Sequence, residues 1–146
     1  MLRVIAAIIC TSSLISCATF NSPYQQPSDL LFQNKTTEKN QMIQVSRDSI
    51  LCAEDTAELQ NCPVSFYIDD YKAGEFYINN QAQYYLHPNT YTLKVKNCTT
   101  ECRVNEIQID LNTDIPNREF VISVDENAMP FLTQPELAQP LSTEAQ

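Results

Sequence analysis

The sequence predicts an all-β fold, a small antiparallel β-sandwich of about seven short strands. Apolar and polar residues alternate with a two-residue period through most of residues 42–125, the mark of strands with one buried face. Polar turn residues interrupt that alternation at short intervals. Only Ala53 to Leu59 reads as a helix, and it is too short to stand alone.

Taken in order, Met42 to Arg47 is a weak first strand. Val64, Phe66 and Ile68 then alternate with Ser65, Tyr67 and Asp69, and weaker candidates follow at Glu75 to Asn79 and Gln83 to Leu86. The clearest strand puts Tyr91, Leu93 and Val95 on one face and Thr90, Thr92, Lys94 and Lys96 on the other. Ile107, Ile109 and Leu111 alternate with Glu106, Gln108 and Asp110, and Phe120, Ile122 and Val124 with Val121, Ser123 and Asp125. A lone amphipathic sheet would leave its apolar side wet, so one sheet must cover another. A domain of about 84 residues has a small core, for which covalent support is expected.

Composition narrows function by exclusion. A net charge of −9 disfavours nucleic acid, which needs clustered Lys and Arg. One His, no Trp and one Gly disfavour the glycine-rich cradles of phosphate-bearing cofactors, and no cofactor is expected. Beyond residue 17 no stretch approaches the ~20 apolar residues that cross a bilayer.

The chain opens with Arg3, the apolar run Val4 to Ile9, and a small-polar region ending at Leu14-Ile15-Ser16-Cys17. The charged start and short apolar run are those of a secretory signal peptide, residues 1–16. The closing tetrad resembles the lipobox of bacterial lipoproteins. That resemblance implies cleavage before Cys17, whose sulfur and freed amine take fatty acyl chains, palmitate among them. Ile9 is too bulky a neighbour for Cys10 to serve instead. One acyl chain holds marginally, at ~0.8 kcal/mol per buried methylene, and several hold stably. Ala18 stands where inner-membrane retention commonly uses Asp, so the resemblance implies the outer membrane. Losing Arg3 with the signal brings the mature chain to −10, so the acyl group and not the surface is expected to anchor it.

Residues 17–41 read as a lipidated flexible tether, polar apart from Leu30-Leu31-Phe32, with a root-mean-square span of roughly 25–30 Å. Residues 126–146, with Pro130, Pro135 and Pro140, read as an extended acidic tail that Phe131 and Leu132 could dock.

Setting aside Cys10 and Cys17 leaves Cys52, Cys62, Cys98 and Cys102, an even count that reads as two disulfides in an exported domain. Of three connectivities, Cys52–Cys62 with Cys98–Cys102 is favoured, because each pair brackets one local loop. On a chain-entropy basis the first contributes roughly 2.5–3 kcal/mol and the second roughly 2 kcal/mol. A crossed pairing would contribute ~4 kcal/mol, so energy alone does not choose. The spacings fit neither a zinc site nor a Cys-x-x-Cys redox centre.

From Val64 the chain runs Val-Ser-Phe-Tyr-Ile-Asp69-Asp70, then Gly74, then Leu86-His87-Pro88-Asn89, then Tyr91 to Val95. This resembles the small β-sandwich modules called PEGA-like. Asp70 and Asn89 stand where that family prefers Gly, and both residue types tolerate a left-handed turn. The resemblance implies a carbohydrate- or protein-binding accessory module at the cell envelope, without catalysis.

The remaining candidates are local. His87 is the one histidine, beside Pro88 in an expected turn, and no nucleophile signature accompanies it. Asp69, Asp70 and Glu75 surround a turn without calcium-loop spacing, and the expectation is solvated carboxylates and no metal. Phe66-Tyr67, Phe76-Tyr77 and Tyr84-Tyr85 are adjacent pairs, and neighbours in a strand point to opposite faces. With Phe66 and Phe76 inward, Tyr67, Tyr77 and Tyr85 would form an outward strip able to stack on sugars or anchor a protein, beside Asp69 and Asp70. The expectation is therefore a lipid-anchored, noncatalytic binding or scaffold module of the outer membrane. Its partners would be an envelope protein or a glycan, besides the membrane itself. The alternative is a protective lipoprotein that blocks an outer-membrane receptor or a lytic protein.

Overall fold

The computed structural model describes Tyr24 and residues 26–98, 102–113 and 118–135. Eight strands fill it: β1 (Gln41–Arg47), β2 (Val64–Ile68), β3 (Tyr71–Phe76), β4 (Gln81–Leu86), β5 (Thr90–Cys98), β6 (Cys102–Asp110), β7 (Glu119–Val124) and β8 (Pro130–Thr133). They form two four-stranded sheets, ordered β4-β1-β7-β8 and β3-β2-β5-β6. The all-β sandwich expected from the alternation is present.

The alternating residues meet between the sheets. Ile43, Val45, Phe120 and Ile122 from one sheet face Val64, Phe66, Leu93 and Val95 from the other, all fully buried. The Phe66 ring bridges the layers, 6.1 Å edge-on from Phe76 in its own sheet and 5.3 Å from Tyr84 opposite. All but one of the strand pairs are antiparallel; β1 and β7 run parallel, with Gln44 beside Glu119. Parallel neighbours cannot share a hairpin. The passage from β2 to β6 serves as their crossover.

Gly74 sits where the β2–β3 register shifts between Phe66 and Tyr67, so Ala73 and Gly74 are both buried. A Cβ at Gly74 would lie 2.8 Å from the Tyr84 hydroxyl and 2.9 Å from a Leu30 methyl. The single glycine of the chain is thus required for close approach.

Four expectations are corrected. Ala53–Leu59 is not helical. Glu54 takes a left-handed φ of 69°, and Thr56 closes a turn onto Leu59 through both its carbonyl and its hydroxyl. The strand expected at Glu75–Asn79 instead ends at Phe76, because Asn80 accepts the Tyr77 N–H through its side chain. In the expected tail, Pro130–Thr133 pairs with β7 and buries Pro130 and Leu132.

The fourth correction concerns the expected tether, which is docked at Tyr24 and over residues 26–33. Ser28 and Glu75 exchange both backbone hydrogen bonds, and Leu31 N–H donates to Ala73. Phe32 then accepts from Tyr85 N–H on the other sheet, so this strap crosses from the β3 edge to the β4 edge. Leu30 and Phe32 pack against the core beneath it. On the opposite side the sandwich is closed by β8 approaching β5 and β6.

Candidate functional site

The turns sort into two ends. One end gathers the 48–63 loop, the 77–80 turn and the 125–129 turn. Cys52 and Cys62 are disulfide-bonded there, as favoured from sequence. Cys98 and Cys102 lie opposite one another in the β5–β6 register, and Cys102 is disulfide-bonded. Thr99 to Glu101, and Cys17 with the rest of the lipobox-like tetrad, lie outside the described residues.

This end holds most of the buried polar chemistry. Arg47 ends β1 only 2% exposed, and its Nη1 donates to the carbonyls of Cys62 (2.9 Å) and Phe76 (2.8 Å). Burial lowers its pKa, opposed by the charges of Asp48 and Asp55. Asn97 donates through Nδ2 to the Cys62 sulfur (2.6 Å) and the Ala128 carbonyl (3.1 Å), which ties the disulfide to the β7–β8 turn. Asp55 accepts from the N–H groups of Asn61 and Cys62. Its carboxylate and the two sulfurs lie within 4.8 Å of one another, but the sulfurs are spent on each other.

The other end carries the β2–β3 turn, the β4–β5 turn, residues 111–113 and Arg118. The left-handed residue of the β2–β3 turn is Asp69, at φ 53°, and neither Asp70 nor Asn89 adopts that conformation. Asp69 exchanges hydrogen bonds with Thr92, its N–H donating to the carbonyl and its Oδ1 accepting from the Thr92 N–H. Asp70 lies 3.9 Å from Lys94, and Glu75 lies 3.6 Å from Lys72. The three carboxylates therefore face separate partners and do not converge. His87 is exposed, and its carbonyl accepts from the Tyr91 hydroxyl. A shallow depression at this end is lined by Gln41, Pro88, Leu111, Asn112, Thr113 and Arg118, with Arg118 donating to Gln41.

The expected tyrosine strip is not one surface. Tyr67, Tyr77 and Tyr85 are each half-buried. Tyr67 points outward from β2, whereas Tyr85 points outward from β4 in the opposite sheet. Tyr77 packs against Tyr24 at 4.7 Å between ring centres, and burial raises its pKa, aided by Glu75 and Tyr24. Adjacent aromatic pairs could not say which sheet each strand joins, nor that β3 ends before Tyr77.

Around Tyr67 the register assembles a distinct face. Tyr67 lies between Lys72 on β3 and Lys94 on β5, and Ser65 lies opposite Lys96. Lys94 in turn faces Glu106 on β6. Three of the nine basic residues thus surround one tyrosine on an acidic protein, interleaved with Asp70, Glu75 and Glu106. Sequence reading missed both this cluster and the docking of Tyr24; cross-strand register was the lacking signal. No family model, curated protein or solved structure matches the chain.

Proposed function

We propose that this is a lipid-anchored, noncatalytic binding module of the bacterial outer membrane, with a PEGA-like sandwich presented at the envelope. The lipobox-like Leu14 to Cys17 supports the anchor, and Arg3 with the apolar run supports export. Acyl chains on Cys17 would hold the domain, while its acidic surplus gives it little attraction to anionic lipid. Oxidation during export suits a second pair, Cys98 with Cys102.

The contact surface is the Tyr67 face, and its register position between Lys72 and Lys94 carries this reading. A half-exposed aromatic ringed by both signs of charge suits a protein partner or a charged glycan: the ring supplies desolvated area and the lysines supply orientation. Tyr77 and Tyr85 serve the strap instead.

Crosslinking capture from native envelopes with wild-type and Tyr67→Ser protein tests this reading. Loss of the captured partner with a nearly unchanged melting temperature is expected. Equal capture by both proteins, or a large fall in stability, overturns it. Capture of an outer-membrane barrel through this face would favour the alternative, a protective lipoprotein that blocks a receptor.

A further inference from the structure

The position of Tyr24 gives the domain a direction. Tyr24 is fixed at the disulfide-bearing end, its carbonyl accepting from Asn80 Nδ2 (2.6 Å) and its ring against Tyr77. From there the strap runs along the β3 and β4 edges toward Phe32. Tyr24 is seven positions beyond Cys17, so even fully extended the connection reaches roughly 25 Å. That is about one strand length of this sandwich, far less freedom than a 24-residue coil would give.

The same end exposes apolar side chains without an explanation inside the domain. Ile50 is 49% exposed and Leu59 56%, both on the 48–63 loop. That loop is fastened to the turn beside Tyr24: the Asp48 carbonyl accepts from Asn79 N–H, and Gln60 Oε1 accepts from Ile78 N–H. The loop also carries Asp48, Glu54, Asp55 and Glu58, with no lysine or arginine from residue 48 to 63. Such a surface gains from contact with the apolar part of a lipid interface and is repelled by anionic headgroups.

We infer that the disulfide-bearing end is the membrane-facing end, with Ile50 and Leu59 seated against zwitterionic phospholipid. The acyl chains supply the affinity, and the loop sets the orientation. The Asp69 and His87 turns then point away from the membrane, and the Tyr67 face stands roughly upright and open to a partner. This inference rests on acylation of Cys17.

The absence of tryptophan makes a direct test available. Single-tryptophan variants Ile50→Trp, Leu59→Trp and, at the far end, His87→Trp are isolated with their native acylation and bound to phosphatidylcholine vesicles brominated near the headgroup. Emission from positions 50 and 59 is expected to fall at least about twofold and shift to the blue, with position 87 unchanged. Adding phosphatidylglycerol should weaken that quenching. Two loop positions guard against one variant failing to fold. Equal quenching at position 87, or none at 50 and 59 on acylated, vesicle-bound protein, overturns the orientation alone. Protein whose intact mass carries no acyl chain and which does not float with vesicles overturns the anchor reading, and this inference with it.

Discussion

At one end of the sandwich the connections are pinned from beneath by a disulfide and buried polar side chains; at the other they are exposed turns held by single side chains. The disulfide end encloses Arg47, Asn97 and the Cys52–Cys62 bond, and a long loop folds over them. The far end relies on Asp69 bonding Thr92, and on short turns that water reaches freely. The difference follows from loop length. A two-residue connection needs one residue able to adopt a left-handed φ, whereas the 48–63 connection must satisfy its own backbone and close a large loop against entropy. A disulfide and a buried guanidinium do both.

Removing the staple should give the largest effect. Cys52→Ala with Cys62→Ala is expected to lose roughly 2.5–3 kcal/mol. In a domain this small, that lowers the melting temperature by roughly 10–20 °C. A shift of only a few degrees would put the two ends on a par. Next, Arg47→Met leaves the Cys62 and Phe76 carbonyls buried without their donor, and urea unfolding should show a loss of about 2–3 kcal/mol.

Gly74→Ala probes the strap that joins the ends. The added methyl meets Tyr84 and Leu30, so a loss of about 1–3 kcal/mol is expected. Tryptic cleavage at Lys35 and Lys39 should quicken as the strap loosens. Unchanged cleavage would show that the strap does not depend on this contact. The smallest effect belongs to the far end: Asp69→Gly keeps the left-handed turn and forfeits one exposed hydrogen bond, a change within about 0.5 kcal/mol by thermal unfolding.

Legibility in the sequence followed the same division. Strands with strict alternation, such as Val64–Ile68 and Thr90–Lys96, were readable because burial on one face imposes a two-residue period. So was the local Cys52–Cys62 pair. The strap was not: Leu30-Leu31-Phe32 signals an apolar contact, but the edge that receives it is made by β3 and β4, over 40 residues later. Ala53–Leu59 misled because helix-forming residues there are overruled by the disulfide and the Thr56 turn. Alternation sets Tyr67 and Tyr85 opposite their inward neighbours, yet the sheet order that separates them, and the Tyr24 ring that packs on Tyr77, depend on pairings no local window contains. Arg47 reads as the polar end of a strand and lies inside because the distant carbonyls of Cys62 and Phe76 receive it.

The proposed anchor at Cys17 underlies the proposed orientation and compartment together. Intact-mass spectrometry of the chain from its native envelope tests it most directly. The expected species begins at Cys17, carries several fatty acyl chains, and lacks the four hydrogens that two disulfides remove. A chain that keeps its leader, or one cleaved elsewhere with no acyl group, would contradict it.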